Sequence, residues 1–214
     1  MNLENLPFNW VDLAVLGALI VGAIIGRKKG ISEELLPVFQ WLAIVVVGAL
    51  YYEPMGKFLA GYTNMSLLLA YLTVYAGIAV GHVFFFSWVK RLVGEKLVAG
   101  DLFGGLEYYL GVAAGILRAA CIVIVAFALL HSPYFSPEQL AADAKMQRDN
   151  FGSISFPTVS QLQQAVFQQS ATGRCVKKYL NEQLIASTPP NQYLVKREGV
   201  ARRRERAVDE VIGK

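Results

Sequence analysis

The chain has 214 residues, 55% of them hydrophobic and only 17% charged, with a mean hydropathy of +0.42. That balance lies on the apolar side of soluble domains and makes lipid the expected solvent for much of the chain. The formal charge of +4 comes from basic residues set beside apolar runs and in the C-terminal tail, a placement that speaks for membrane topology and against nucleic acid, since no interleaving of aromatic and basic residues accompanies it.

Cysteine and histidine usage is sparse. Cys121 lies in an apolar run and Cys175 in a polar one, too few for a disulfide framework, and with His82 and His131 so dispersed they form no ligand set for a metal. No metal or other cofactor is expected. The N-terminus carries an acidic residue where a signal peptide is basic, and no small-residue cleavage site ends the first apolar run, so that run is expected to be retained.

Four apolar stretches follow in order: Phe8 to Gly26, Leu35 to Tyr52, Ser66 to Val89 and Tyr108 to Leu130. Each is near the roughly 20 residues that cross about 30 Å of hydrocarbon. Because lipid offers the backbone no hydrogen-bond partner, all four are expected to be helices, in spite of the β-branched run Ile44-Val45-Val46-Val47. The predicted fold is an all-α membrane protein with four transmembrane helices in two hairpins (residues 1–131), a small, mainly helical polar region (132–188) and a basic, disordered tail (189–214).

Orientation follows from the short loops. Arg27, Lys28 and Lys29 follow the first span and Lys90, Arg91 and Lys96 the third, whereas the opposite loop has only Lys57. Both basic loops are therefore expected on the cytoplasmic side and both termini outside. Trp10, Tyr51 and Tyr52 suit the outer interfacial belt, and Trp88 the inner one.

Beyond Leu130 the chain turns polar. Ser136 and Pro137 read as an N-cap and first-turn proline opening a helix to about Gln147. A second helical region is expected from about Thr158 to Ile185, broken near Gly173. The clustered arginines of the tail, from Lys196 to Arg206, are expected to touch membrane lipid or an acidic surface.

Three spans carry glycine pairs at helical spacing: Gly22 with Gly26, Gly77 with Gly81, and Gly111 with Gly115. Such pairs form flat grooves for close helix approach, either within one bundle or between copies of the chain. Arg118, near the middle of the fourth span, is the costliest residue to place in lipid and must face protein or water. Gln40, His82 and Arg118 fall at similar depth, and they are read as an intramembrane polar cluster: a clamp on backbone carbonyls or the lining of a polar path. Glu33 and Glu34 follow Ser32 where a helix begins, and suit its positive dipole end. Asp12 sits near the outer boundary, where water is able to solvate it. No nucleophile elbow, phosphate-binding loop or paired-histidine helix is present, so no catalytic residues are proposed.

The segments NWVDLAVLGALIVGAIIGRKKGISEEL, GDLFGG and LGVAAGILRA together resemble the colicin V production protein (CvpA) family of bacterial inner-membrane proteins. The matching positions are Asn9, Asp12, Gly26, Arg27, Gly30 and Glu34, then Asp101, Gly105, Gly111, Gly115 and Arg118. The resemblance covers about residues 8 to 130. At Ala119 the chain departs from the glycine that the family tends to carry. The resemblance implies a role in toxin production or export and in envelope homeostasis. Two readings of function are kept: a noncatalytic scaffold or assembly factor, and a small transport or channel component. Membrane lipid, a second copy through the glycine faces, and an envelope protein bound by the C-terminal region are the expected partners.

Overall fold

The computed structural model describes residues 9–99, 104–151 and 158–193. Among these the secondary structure is helical, with two isolated bridges and no strand. Three helices are long and apolar enough to cross a membrane. They are α1 (Trp10–Thr63), α2 (Leu67–Ala99) and α3 (Glu107–His131), the last preceded by a short 3-10 turn, Gly104–Leu106. The first two apolar runs of the sequence thus share one element.

A straight helix of 54 residues would be about 80 Å long, more than twice the hydrocarbon thickness. Gly30 breaks it, with φ 72 and ψ 171. Glycine alone adopts that backbone without steric cost. The consequence shows in the packing: Val11 and Tyr52, about 60 Å apart on a straight helix, belong to one buried cluster. The basic segment expected as a loop is therefore helical except at one residue. Helix also continues past Tyr52 to Thr63, with a Glu53 to Lys57 ion pair one turn apart, and ends at Asn64 in the left-handed conformation.

α1 packs against both α3 and α2, whereas α2 and α3 scarcely meet. On the α2 side, aromatic rings fill notches left by glycines. A methyl built on Gly48 would lie 2.7 Å from Cε2 of Tyr75, and one on Gly56 would run into the Tyr71 ring. Tyr71 also stands edge-on to Tyr52, ring centroids 5.3 Å apart. All four buried residues described in α2 lie in its first half, Leu67, Ala70, Tyr71 and Tyr75; none from Ala76 to Leu92 is buried.

The polar C-terminal region contains α4 (Pro137–Phe151), α5 (Val159–Gln164), a π turn (Ala165–Gln169), α6 (Ala171–Tyr179) and a 3-10 turn (Asn181–Gln183). Ser136 caps α4, its Oγ accepting from Gln139 N at 3.2 Å, and the helix runs one turn beyond the expected Gln147. Thr158 caps α5 with a full capping box. The break that the sequence places near Gly173 falls at Ser170, whose extended backbone and side chain start α6. Gly173 is needed instead for close approach, because a methyl there would collide with the Val166 carbonyl.

This region is tied to every long helix. Thr188 N donates to Ser132 O at 2.9 Å and Tyr134 N to Thr188 O at 3.1 Å, at the end of α3. Leu67 N, at the start of α2, donates to Gln192 O at 2.7 Å. Ala186 N donates to the Tyr52 hydroxyl of α1 at 3.1 Å. Tyr52 is therefore buried in the fold and not part of an interfacial belt. The stretch Pro189 to Tyr193, expected to belong to the disordered tail, lies against the start of α2; the basic segment Lys196 to Arg206 lies outside the described residues.

Candidate functional site

Two polar centres flank a glycine seam between α1 and α3. The seam comes first, because it sets the distance between the helices. A methyl on Gly22 would lie 2.5 Å from the Gly115 carbonyl oxygen and 2.7 Å from the Ala119 Cβ. On Gly26 it would collide with the Gly111 carbonyl, and the reverse substitutions on Gly111 and Gly115 meet Gly26 and Gly22. Backbone thus lies on backbone, as small residues permit. The methyl of Ala119 is received by Gly22.

Gly77 and Gly81 have the same spacing but another environment, since nothing lies within 4 Å of either Cβ position. They form an open face on the unburied half of α2.

At the Gly30 end of the seam, the side chain of Glu107 from the start of α3 packs against Gly30. One turn further along α1, Glu34 is wholly buried. Its Oε2 lies 3.1 Å from Nε of Arg118, and its Oε1 lies 3.8 Å from Nζ of Lys29. The contact with Arg118 is an ion pair and not an aligned hydrogen bond. Opposite charges at this distance offset much of the cost that either would carry alone in a low-dielectric layer. Arg27 is exposed.

Two of the residues read together as a polar cluster have other partners. No hydrogen bond joins Gln40, His82 and Arg118 among the described residues: Arg118 faces Glu34, and His82 Nδ1 lies 2.8 Å from the Ile78 carbonyl of its own helix. Gln40 is half-buried on α1. The helix-end reading of Glu34 accounts for its position after Gly30 but not for its partner.

At the N-terminus of α1, Asp12 closes two helix starts at once. Its Oδ2 accepts from Asn9 N at 2.9 Å, completing a capping box on α1, and from Ala171 N at 3.1 Å. Its Oδ1 accepts from Thr172 N at 2.8 Å, Thr172 Oγ1 at 2.6 Å and Ser170 Oγ at 3.1 Å. Asp12 is 7% exposed, so the solvated boundary position expected for it is not what the fold provides. The carboxylate serves as the anion for the N-terminus of α6. Asn9 extends the junction, its Nδ2 donating to Ala165 O at 3.4 Å and Gln169 Oε1 at 3.3 Å.

Two family positions remain. Gly105 lies in the exposed turn before α3, next to Gly104 with φ 51. Asp101 lies outside the described residues. No group of three or more His, Cys, Asp and Glu side chains able to hold a metal occurs among the described residues.

No curated protein and no solved structure matches the chain. The model of one family, described as colicin V production protein, matches residues 11–149. The match extends beyond the apolar spans and takes in α4, a wider share than the motifs alone indicate. It holds Asp12, the glycine seam, Glu34 and Arg118. The chain is a membrane protein that belongs to the colicin V production protein family.

Proposed function

We propose that the chain crosses the bacterial inner membrane four times and acts as a noncatalytic scaffold or assembly factor in toxin production or export and in envelope homeostasis. Four crossings follow if α1 passes out and back at Gly30, which accommodates the span lengths and puts Arg27, Lys28, Lys29, Lys90 and Arg91 on one side. By the basic-loop rule that side is cytoplasmic, and both termini are periplasmic.

The observation that carries the scaffold reading is the attachment of one polar region to all three long helices, through Asp12 and Tyr52 on α1, Leu67 at α2 and Ser132 at α3. Such a region is held as a platform at the membrane surface, suited to presenting a fixed face to an envelope protein. A transport role would use Arg118 in a hydrated path, and its burial against Glu34 favours a structural role instead.

Two measurements test the proposal together. Affinity capture from membranes should recover a partner with the full chain and lose it when residues 132–214 are removed from an otherwise inserted bundle. In reconstituted vesicles, ion or proton flux should not exceed that of an Arg118→Ala control. Flux that this substitution abolishes would replace the scaffold with a transport component.

A further inference from the structure

The glycine seam draws α1 and α3 together near Gly22, Gly26, Gly111 and Gly115. Toward the C-terminal region the small contacts end and the two helices leave a groove of about 600 Å³. Its walls include Ala14 and Ala18 of α1 and Val123 and Ala126 of α3, and Val159, Leu162 and Val166 line it from α5 and the π turn. The volume lies within the range of roughly 300 to 1,000 Å³ that small-molecule sites occupy. None of the lining residues is charged.

We infer that this groove holds one acyl chain of a membrane phospholipid from the leaflet adjoining the C-terminal region. Depth supports this first: the lining runs along α1 from Trp10 to Ala18, about 12 Å of an apolar span, so a groove that opens at the interface reaches into hydrocarbon. The roof supports it next. Gln163 Nε2 donates to the carbonyls of Leu130, His131 and Pro133 at 3.2, 3.4 and 2.9 Å, while Asn9 donates to Ala165 O at 3.4 Å. α5 and the π turn are thereby fixed across the ends of both helices.

A transmembrane helix of another protein, about 10 Å across and continuous through the bilayer, would run into that roof. An acyl chain enters from the side and ends near the interface, so the roof does not obstruct it. The exposed side chain of Val159 and the half-buried one of Leu162 gain a hydrocarbon contact that water at the membrane surface does not supply. The inference needs only that α1 and α3 lie in the membrane, and it is independent of the scaffold reading and of orientation.

The test uses the full chain in lipid nanodiscs doped with a phospholipid carrying a diazirine on one acyl chain. After photolysis and a detergent wash, adducts are mapped by peptide mass spectrometry. Adducts at Ala14, Ala18 and Ala126 should exceed those at Val80 and Phe84 on the open face of α2 by about tenfold per site. Filling the groove with Ala18→Phe and Ala126→Phe should lower groove adducts by a similar factor while the α2 adducts stay unchanged. If the double variant does not fold, Ala18→Leu and the distribution in the unaltered chain still decide. Equal labelling of groove and α2 face would mean ordinary surrounding lipid and overturn the inference. So would undiminished labelling in a folded filled variant. None of these outcomes changes the flux or capture result, so the two proposals fail separately.

Discussion

Glu34 and Arg118 meet with 3.1 Å between Oε2 and Nε, the glutamate side chain wholly buried and the arginine 17% exposed. Either charge alone is costly in the apolar layer, and each makes the other tolerable. The pair also joins the stretch of α1 after Gly30 to the middle of α3.

Removing one member should therefore cost more than removing both. Glu34→Leu or Arg118→Leu alone is expected to destabilise the bundle by about 3–5 kcal/mol, because an uncompensated charge stays buried. The double replacement should recover a large part of that loss. Detergent melting of the four proteins in a double-mutant cycle measures it. Strict additivity would show that the two charges are solvated independently. Arg27→Leu, at an exposed position, should melt close to the unaltered chain.

The glycine pairs should separate by environment. Gly26→Ala pushes a methyl into the Gly111 carbonyl and is expected to cost about 1–3 kcal/mol of bundle stability. Gly77→Ala and Gly81→Ala meet open space and should change melting by no more than about 0.5 kcal/mol. If copies associate through α2, Gly77→Ile should reduce dimer cross-linking in membranes while melting holds. Cross-linking that is indifferent to this change would remove that face from the association.

Asp12→Ala leaves the starts of α1 and α6 without their shared acceptor. Charged hydrogen bonds contribute about 1.5–3 kcal/mol each, so the local loss should reach several kcal/mol and appear as faster amide exchange between residues 159 and 185. Thr172→Val removes the hydroxyl donor and keeps the backbone one, and should cost roughly 1–2 kcal/mol. Unchanged exchange in Asp12→Ala would show that the region is held by its other contacts alone.

Orientation is open to fusion reporters. Alkaline phosphatase placed after Lys214 should be active, and a fluorescent protein at the same position dark. The reverse pattern would put the C-terminal region in the cytoplasm and leave the position of Asp12 and its partners within the fold unaltered.

Much of the local structure was legible in the residues. Run length and apolarity marked the segments that became α1, α2 and α3, since a chain in lipid has to bond its backbone within each segment. Ser136 with Pro137 marked one helix start and Thr158 the approximate start of another, because a cap depends only on residues a few positions apart. The family motif was legible too, including Asp12, Glu34 and Arg118, although not what those residues do.

Their roles were decided by the tertiary structure. The three glycine pairs have the same spacing in sequence, yet two face each other across a seam and the third faces nothing, because helix rotation and neighbour order are not encoded by spacing. Gly30 reads like any glycine in a basic segment, and only its backbone angles make it the break in α1. Arg118 plainly required a partner, but depth alone pointed to Gln40 and His82 and passed over Glu34. Asp12 seemed free to remain in water until the turn at Ser170 to Thr172, from the far end of the chain, was laid against it. By itself the sequence determined which segments are apolar enough for lipid and where α4 and α5 begin, since those depend on near neighbours and on solvent. Only the fold decided which charges and glycines meet, because that depends on how distant helix faces are turned toward one another.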